Sequence, residues 1–140
     1  MYKNIEFKDI PNLKMTFSQQ ENLVLLCLNN SFMMTEEEDI NGYILLKKQK
    51  MRLKSSIPTE DVLYFLKIYS ETEFNTYKVV SLFQKNDDEV MFNLFDMVLN
   101  TLENGDFILG VAKNTQDHYV YKKLGFMRLN ERTYGYQHVL

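Results

Sequence analysis

The chain has 140 residues, 45% of them apolar and 25% charged, with a formal net charge of −3. That is enough chain for a packed core, and the balance excludes a disordered segment and a nucleic-acid binder that relies on bulk positive charge. One cysteine, Cys27, excludes an intrachain disulfide, and with only two histidines beside it no metal-ligand set is expected.

The segment "YKNIEF" alternates apolar and polar residues and predicts a first strand. Asp9-Ile10-Pro11 then predicts a helix start, with Asp9 as its cap and Pro11 in its first turn. "SQQENLVLLCLNNSF" carries Ser18 and Glu21 at capping-box spacing, which favours a helix over a strand. Cys27 lies inside that apolar run with no base or cation beside it, so it reads as a buried thiol and not a nucleophile. Glu36 to Asp39 form an exposed acidic turn, and Tyr43 to Leu46 a strand. The basic run Lys47 to Lys54 reads as a solvated hairpin edge, where lysines oppose edge-to-edge pairing.

Pro58 and its neighbours break the chain. "DVLYFLKIYS" (61–70) is apolar on both faces and predicts a central strand. "ETEFNTYKVVSLFQK" shifts to a helical period, with Tyr77, Val80, Ser81 and Gln84 on one face. "NDDEVMFNLFDMVLNTLENG" is the clearest helix. Asn86 or Asp87 caps it, acids fill its first turn, and Gly105 stops it. Its stripe of Val90, Met91, Leu94, Met97, Val98 and Leu102 is core. "DFILGVA" predicts a strand over 107–112, "NTQDHYVYKKL" a last helix, and "GFMRLNERTYGYQHVL" one or two closing strands.

This order predicts a single α/β domain over 1–140 with a mixed sheet. Apolar runs are too short to span a bilayer, and "MYKNIEFKD" has no apolar signal core. A cytoplasmic protein with no membrane or nucleic-acid partner is expected. An aromatic content of 14% predicts an apolar surface patch, and with it a homodimer. No Ser-His-Asp spacing and no GxxxxGK phosphate loop occurs.

The last third carries the sharpest pattern. Asn114, Tyr121, Lys123, Gly125 and Phe126 follow the spacing N-x6-Y-x-K-x-G-F after an apolar strand. This resembles the GNAT family of acetyl-CoA-dependent N-acetyltransferases. The resemblance implies a mixed, mostly antiparallel sheet with helices on both faces, acetyl-CoA as donor and an amine as acceptor. It implies that Tyr121 is the general acid that protonates the departing thiolate, for which a phenol is suited. Asn114 then lies near the pantetheine arm, and Leu66, Lys67 and Ile68 offer it backbone groups.

The family also has a strand of the form V-x-P followed by a Q/R-x-x-G-x-G/A loop that opens a helix. Laid over "LKIYSETEFNTYKVVSLF", it puts Ile68 for Val, Ser70 for Pro and Glu73 for the cation or amide. The loop glycines then fall at Phe74, Thr76 and Lys78, and the pyrophosphate lies against the amides of Asn75, Thr76, Tyr77 and Lys78. The missing glycines and the charge of Glu73 give two readings. One is an N-acetyltransferase with a rebuilt loop; the other is a catalytically inactive binding or regulatory module on the same scaffold. No family role falls on His118, which reads as an exposed helix residue.

Overall fold

The structure, a computed structural model, describes residues 1–13, 26–48, 75–85 and 87–139. The capping-box pair Ser18 and Glu21, the facing strand beyond Lys48, the strand expected over 61–70 and the residues Leu66, Lys67, Ile68, Glu73 and Phe74 lie outside the described residues.

Among the described residues there are seven strands, β1 (Tyr2–Asn4), β2 (Phe32–Glu36), β3 (Asp39–Lys48), β4 (Thr76–Gln84), β5 (Phe107–Val111), β6 (Met127–Arg128) and β7 (Thr133–Gln137). Two α-helices are described, α1 (Asp88–Thr101) and α2 (Thr115–Lys123). Together they make the expected α/β class with a mixed sheet. Backbone contacts divide the chain into two compact units, Met1–Lys48 with Lys78–Leu102 and Gln49–Tyr77 with Glu103–Leu140.

In the first unit β1 pairs antiparallel with β2, and β2 antiparallel with β3. A six-residue 3-10 helix, Phe7–Asn12, follows β1. Asp9 is its third residue and not its cap; its carboxylate accepts the Glu6 N–H at 2.9 Å. Ile5, Ile10, Leu13, Met33, Tyr43, Leu45 and Val80 form a core cluster. The Tyr43 hydroxyl within it shares a 2.7 Å hydrogen bond with that of Ser81, which keeps both polar tips satisfied. Gly42 lies under α1: a Cβ there would fall 2.8 Å from Val90 Cγ1 and 3.3 Å from Leu94 Cδ1. The missing side chain lets α1 pack close on β3.

The acidic turn is a two-residue hairpin loop between β2 and β3. Glu37 and Glu38 have φ of 50° and 72°, both left-handed. Two positive φ values in a two-residue loop define the type that favours Asn-Gly, and neither glutamate has that preference. Glu38→Gly is expected to raise stability by about 1 kcal/mol, since glycine carries no Cβ penalty there. Urea denaturation measures it, and an unchanged midpoint would show that the turn is not strained.

Residues 76–84 form a strand where a helix is expected. Thr76, Tyr77, Val79, Val80, Ser81 and Gln84 are all buried. A strand covered on both faces shows little alternation, so the period test has almost nothing to read. Its β-branched and aromatic residues are the better signal. Strand β2 is also absent from the sequence reading, because Phe32 to Met34 look like the tail of the preceding apolar run. The strand β5, helices α1 and α2, and the closing pair β6 and β7 form as expected.

In the second unit β7 pairs antiparallel with both β5 and β6. Helix α2 ends at Gly125, whose φ of 88° is the left-handed stop that glycine supplies.

Candidate functional site

Two places carry chemistry, one in each unit. The first is the junction of β4 and α1. The strand ends at Gln84 and the helix opens at Asp88, capped by Asp87, whose Oδ1 accepts the Glu89 N–H at 3.0 Å. Gln84 is only 7% exposed. Its Nε2 donates to Asp88 Oδ1 at 3.1 Å, and its buried Oε1 has no hydrogen-bond partner among the described residues. The Lys85 N–H donates to Asn41 O at 3.0 Å, which fixes the junction against β3.

Among the described residues, a strand end followed by a helix start falls at 84–88, while Thr76 to Lys78 lie inside β4. Thr76, Tyr77 and Lys78 are strand residues and present no helix N-terminus to an anion. The Asn75 N–H is committed to Asp106 Oδ1 at 3.3 Å, and its carbonyl accepts the Phe107 N–H at 2.9 Å. Counted from Gln84, a Q-x-x-G-x-G/A pattern puts Asp87 and Glu89 where glycines are expected. The signal in the sequence was the Asn-Asp-Asp-Glu cap itself: a helix that starts there requires the strand immediately before it.

The second place is α2 with β5 and β7. Asn114 is the helix cap, its Oδ1 accepting the Asp117 N–H at 2.8 Å. This capping bond is an ordinary helix-start interaction. Tyr121 is 2% exposed and lies against β5. An ideal Cβ on Gly110 would sit 2.3 Å from Tyr121 Cζ and 2.5 Å from its Oη. The Tyr121 ring stacks on Tyr134 at 5.2 Å between centroids and meets Phe126 at 5.1 Å. Burial, and secondarily the charge of Asp117, push its phenol well above the usual tyrosine range. A phenol raised in this way is a weaker acid than a free tyrosine.

His118 is half-buried, not exposed. Its Nδ1 shares a 2.7 Å hydrogen bond with the hydroxyl of Tyr134, and the rings meet edge to face at 5.5 Å. Tyr119 turns outward, 44% exposed, with Lys123 Nζ 5.6 Å from its ring centroid. The three rings of one helical turn thus have separate jobs: one fills the core, one ties to β7, and one meets solvent.

No family model matches the sequence, and none of the curated proteins does. Solved structures do match in shape. Naa50 of Arabidopsis thaliana, solved with the bisubstrate analogue CoA-Ac-MVNAL, gives a TM-score of 0.59 at 13% identity over 97% of each chain. The ribosomal-protein-S18-alanine N-acetyltransferase of Escherichia coli gives 0.57 at 10% identity, over 100% of this chain and 94% of that one. NAA60 of Arabidopsis thaliana, solved with acetyl-CoA, gives 0.55 at 12% identity over 100% and 99%. The fold is that of the GNAT N-acetyltransferases. Among the described residues, no helix is long and apolar enough to cross a membrane.

Proposed function

We propose that this chain is a binding module on a GNAT scaffold, without a coenzyme A-dependent activity of its own. The observation that carries the reading is the start of α1. Three successive acids, Asp87, Asp88 and Glu89, stand there, and Asp87 already satisfies one of the free amides. A pyrophosphate brought to this helix end meets carboxylates within a few ångströms, each repelling it by on the order of 1 kcal/mol even in water. The helix dipole returns only about 1 kcal/mol. Titration with acetyl-CoA by calorimetry is expected to show no saturable binding below about 1 mM. Micromolar binding would overturn the reading.

One observation favours a second reading, an N-acetyltransferase that moves an acyl group from acyl-CoA to an amine. It is the phenol of Tyr121 on α2, which lies against β5 at the position the family resemblance marks. In that reading the neutral amine attacks the thioester carbonyl, the carbon–sulfur bond breaks, Tyr121 gives its proton to the departing sulfur, and the proton shed by the amine nitrogen restores the phenol through solvent. Tyr121→Phe would then leave acetyl-CoA binding intact while slowing turnover at least tenfold. Equal turnover in both proteins would remove Tyr121 from the chemistry.

A further inference from the structure

The dipeptide Asn-Gly occurs twice in the chain, at 41–42 and at 104–105. Its chemistry is intramolecular. The glycine nitrogen attacks the side-chain carbonyl carbon of the preceding asparagine, and with no Cβ beside it the approach is unhindered. Asparagine is thermolabile for this reason. The structure sets the two copies apart. Asn41 and Gly42 lie inside β3, where Gly42 pairs with Met34 of β2. The Asn41 carboxamide donates to Glu36 Oε2 at 2.8 Å, and its main-chain carbonyl accepts the Lys85 N–H. Gly42 is buried, with Val90 Cγ1 at 2.8 Å and Phe83 O at 3.2 Å from where a Cβ would stand. A ring closed on that peptide has no room. Asn104 and Gly105 instead form the centre of the turn from Glu103 to Asp106, closed by the Asp106 N–H donating to Glu103 O at 3.1 Å. Asn104 is exposed, and Gly105 has a φ of 94°. The Gly105 N–H donates to His138 O at 2.6 Å, just past the end of β7.

We propose that Asn104 is a self-modification site, converted to aspartate and isoaspartate in the folded protein, while Asn41 is held unreactive by its strand. The Gly105 nitrogen gives its proton to hydroxide and bonds to the Asn104 side-chain carbon. The carbon–nitrogen bond of the carboxamide breaks, and ammonia leaves with a proton taken from water. Water then opens the cyclic imide at one of its two carbonyls, which yields aspartate or isoaspartate. This reactivity is independent of any ligand the chain binds. The bond to His138 O sets its pace, because the Gly105 nitrogen is shielded until that bond opens. Openings at a strand end need less free energy than openings through a sheet interior. The turn at Asn104 opens locally, whereas Asn41 reacts only if β3 parts from β2 and from under α1. The product matters to its neighbours. The buried Asp106 carboxylate accepts the Glu103 N–H at 2.9 Å across this turn. Isoaspartate adds a methylene to the main chain inside it and a new carboxylate between Glu103 and Asp106.

The test is peptide mapping by mass spectrometry of the full chain after warm incubation at mildly alkaline pH, once folded and once in urea. In urea the two dipeptides are expected to convert at similar rates, which measures the bare chemistry. In the folded protein Asn104 is expected to convert at least about tenfold faster than Asn41. Asp106→Asn, which loosens the turn, is expected to speed conversion at Asn104 more than at Asn41, which reports global opening in the same molecule. Where Asp106→Asn does not fold, the ratio of the two sites in the folded wild type decides. Equal rates at the two sites in the folded protein overturn the proposal. So does conversion of both sites in urea with neither converted in the folded chain over the same time. A rise at both sites in proportion in Asp106→Asn also overturns it, because the reaction then runs through global unfolding and not through the turn.

Discussion

Gly110→Ala is expected to destabilise the protein by about 3 kcal/mol, lowering the melting temperature by roughly 10 °C. The new Cβ would lie 2.3 Å from the Tyr121 ring, which no real contact tolerates. The ring has nowhere to go, because Tyr134 stacks on it and Phe126 closes its side. Tyr121→Ala alone leaves a large cavity and costs about 4 kcal/mol. In the Tyr121→Ala background, however, the Gly110→Ala methyl enters empty space. The cost of Gly110→Ala should then shrink below about 1 kcal/mol, a coupling well outside ordinary additivity error. Equal costs in the two backgrounds, by urea denaturation, would mean that the ring does not occupy the space over β5.

That contact bears on function as well as stability. Glycine at 110 admits the phenol to the face of β5, where a packed ring and a proton donor would occupy the same place. Stability data alone do not separate the two roles. The conservative Tyr121→Phe does: it keeps the stacking and removes only the hydroxyl.

Part of this arrangement is legible in the sequence, and the reason is local. Helix α1 announces itself through its cap and acids, and of its expected stripe Val90, Met91, Leu94, Val98 and Leu102 are buried while Met97 is half-buried. Helix α2 is read from Asn114 at one end, which caps it through its side-chain Oδ1, and from Gly125 at the other, which stops it through a left-handed backbone. Strand β4 is hidden because its sequence pattern reports burial and not geometry. When both faces are covered, Tyr77, Val79 and Val80 look the same in a helix or a strand. The misplacement moves the helix start. With β4 read as helix, the helix start falls near Asn75, and the acids at 87–89 are taken only as a good cap. Once β4 is seen to end at Gln84, those acids stand at a helix start that directly follows a strand. His118 is a different case. Its bond to Tyr134 joins residues 16 apart in sequence, and nothing in the local sequence specifies it.

Asp106 is the other position where a single change should have a large effect, and it too is invisible to hydrophobic pattern. It is 3% exposed, yet it carries a carboxylate. Oδ2 accepts the Glu103 N–H at 2.9 Å and Oδ1 the Asn75 N–H at 3.3 Å. Its backbone adds a bond from its N–H to Glu103 O and another from the His138 N–H to its carbonyl. One side chain thus ties the start of β4 to the turn before β5, while the main chain ties that turn to the end of β7. Asp106→Ala leaves two amides without their acceptor and is expected to cost about 3 kcal/mol. Asp106→Asn keeps one acceptor oxygen but turns an N–H₂ toward the second amide, so about 2 kcal/mol is expected. Hydrogen exchange gives the local readout: the amides of Asn75 and Glu103 should exchange faster in Asp106→Asn by more than the global loss of stability explains. If their protection instead falls only in step with the global change, the carboxylate is not what holds these two amides. The beginning of β4 would then depend on backbone bonds such as that of the Phe107 N–H to Asn75 O.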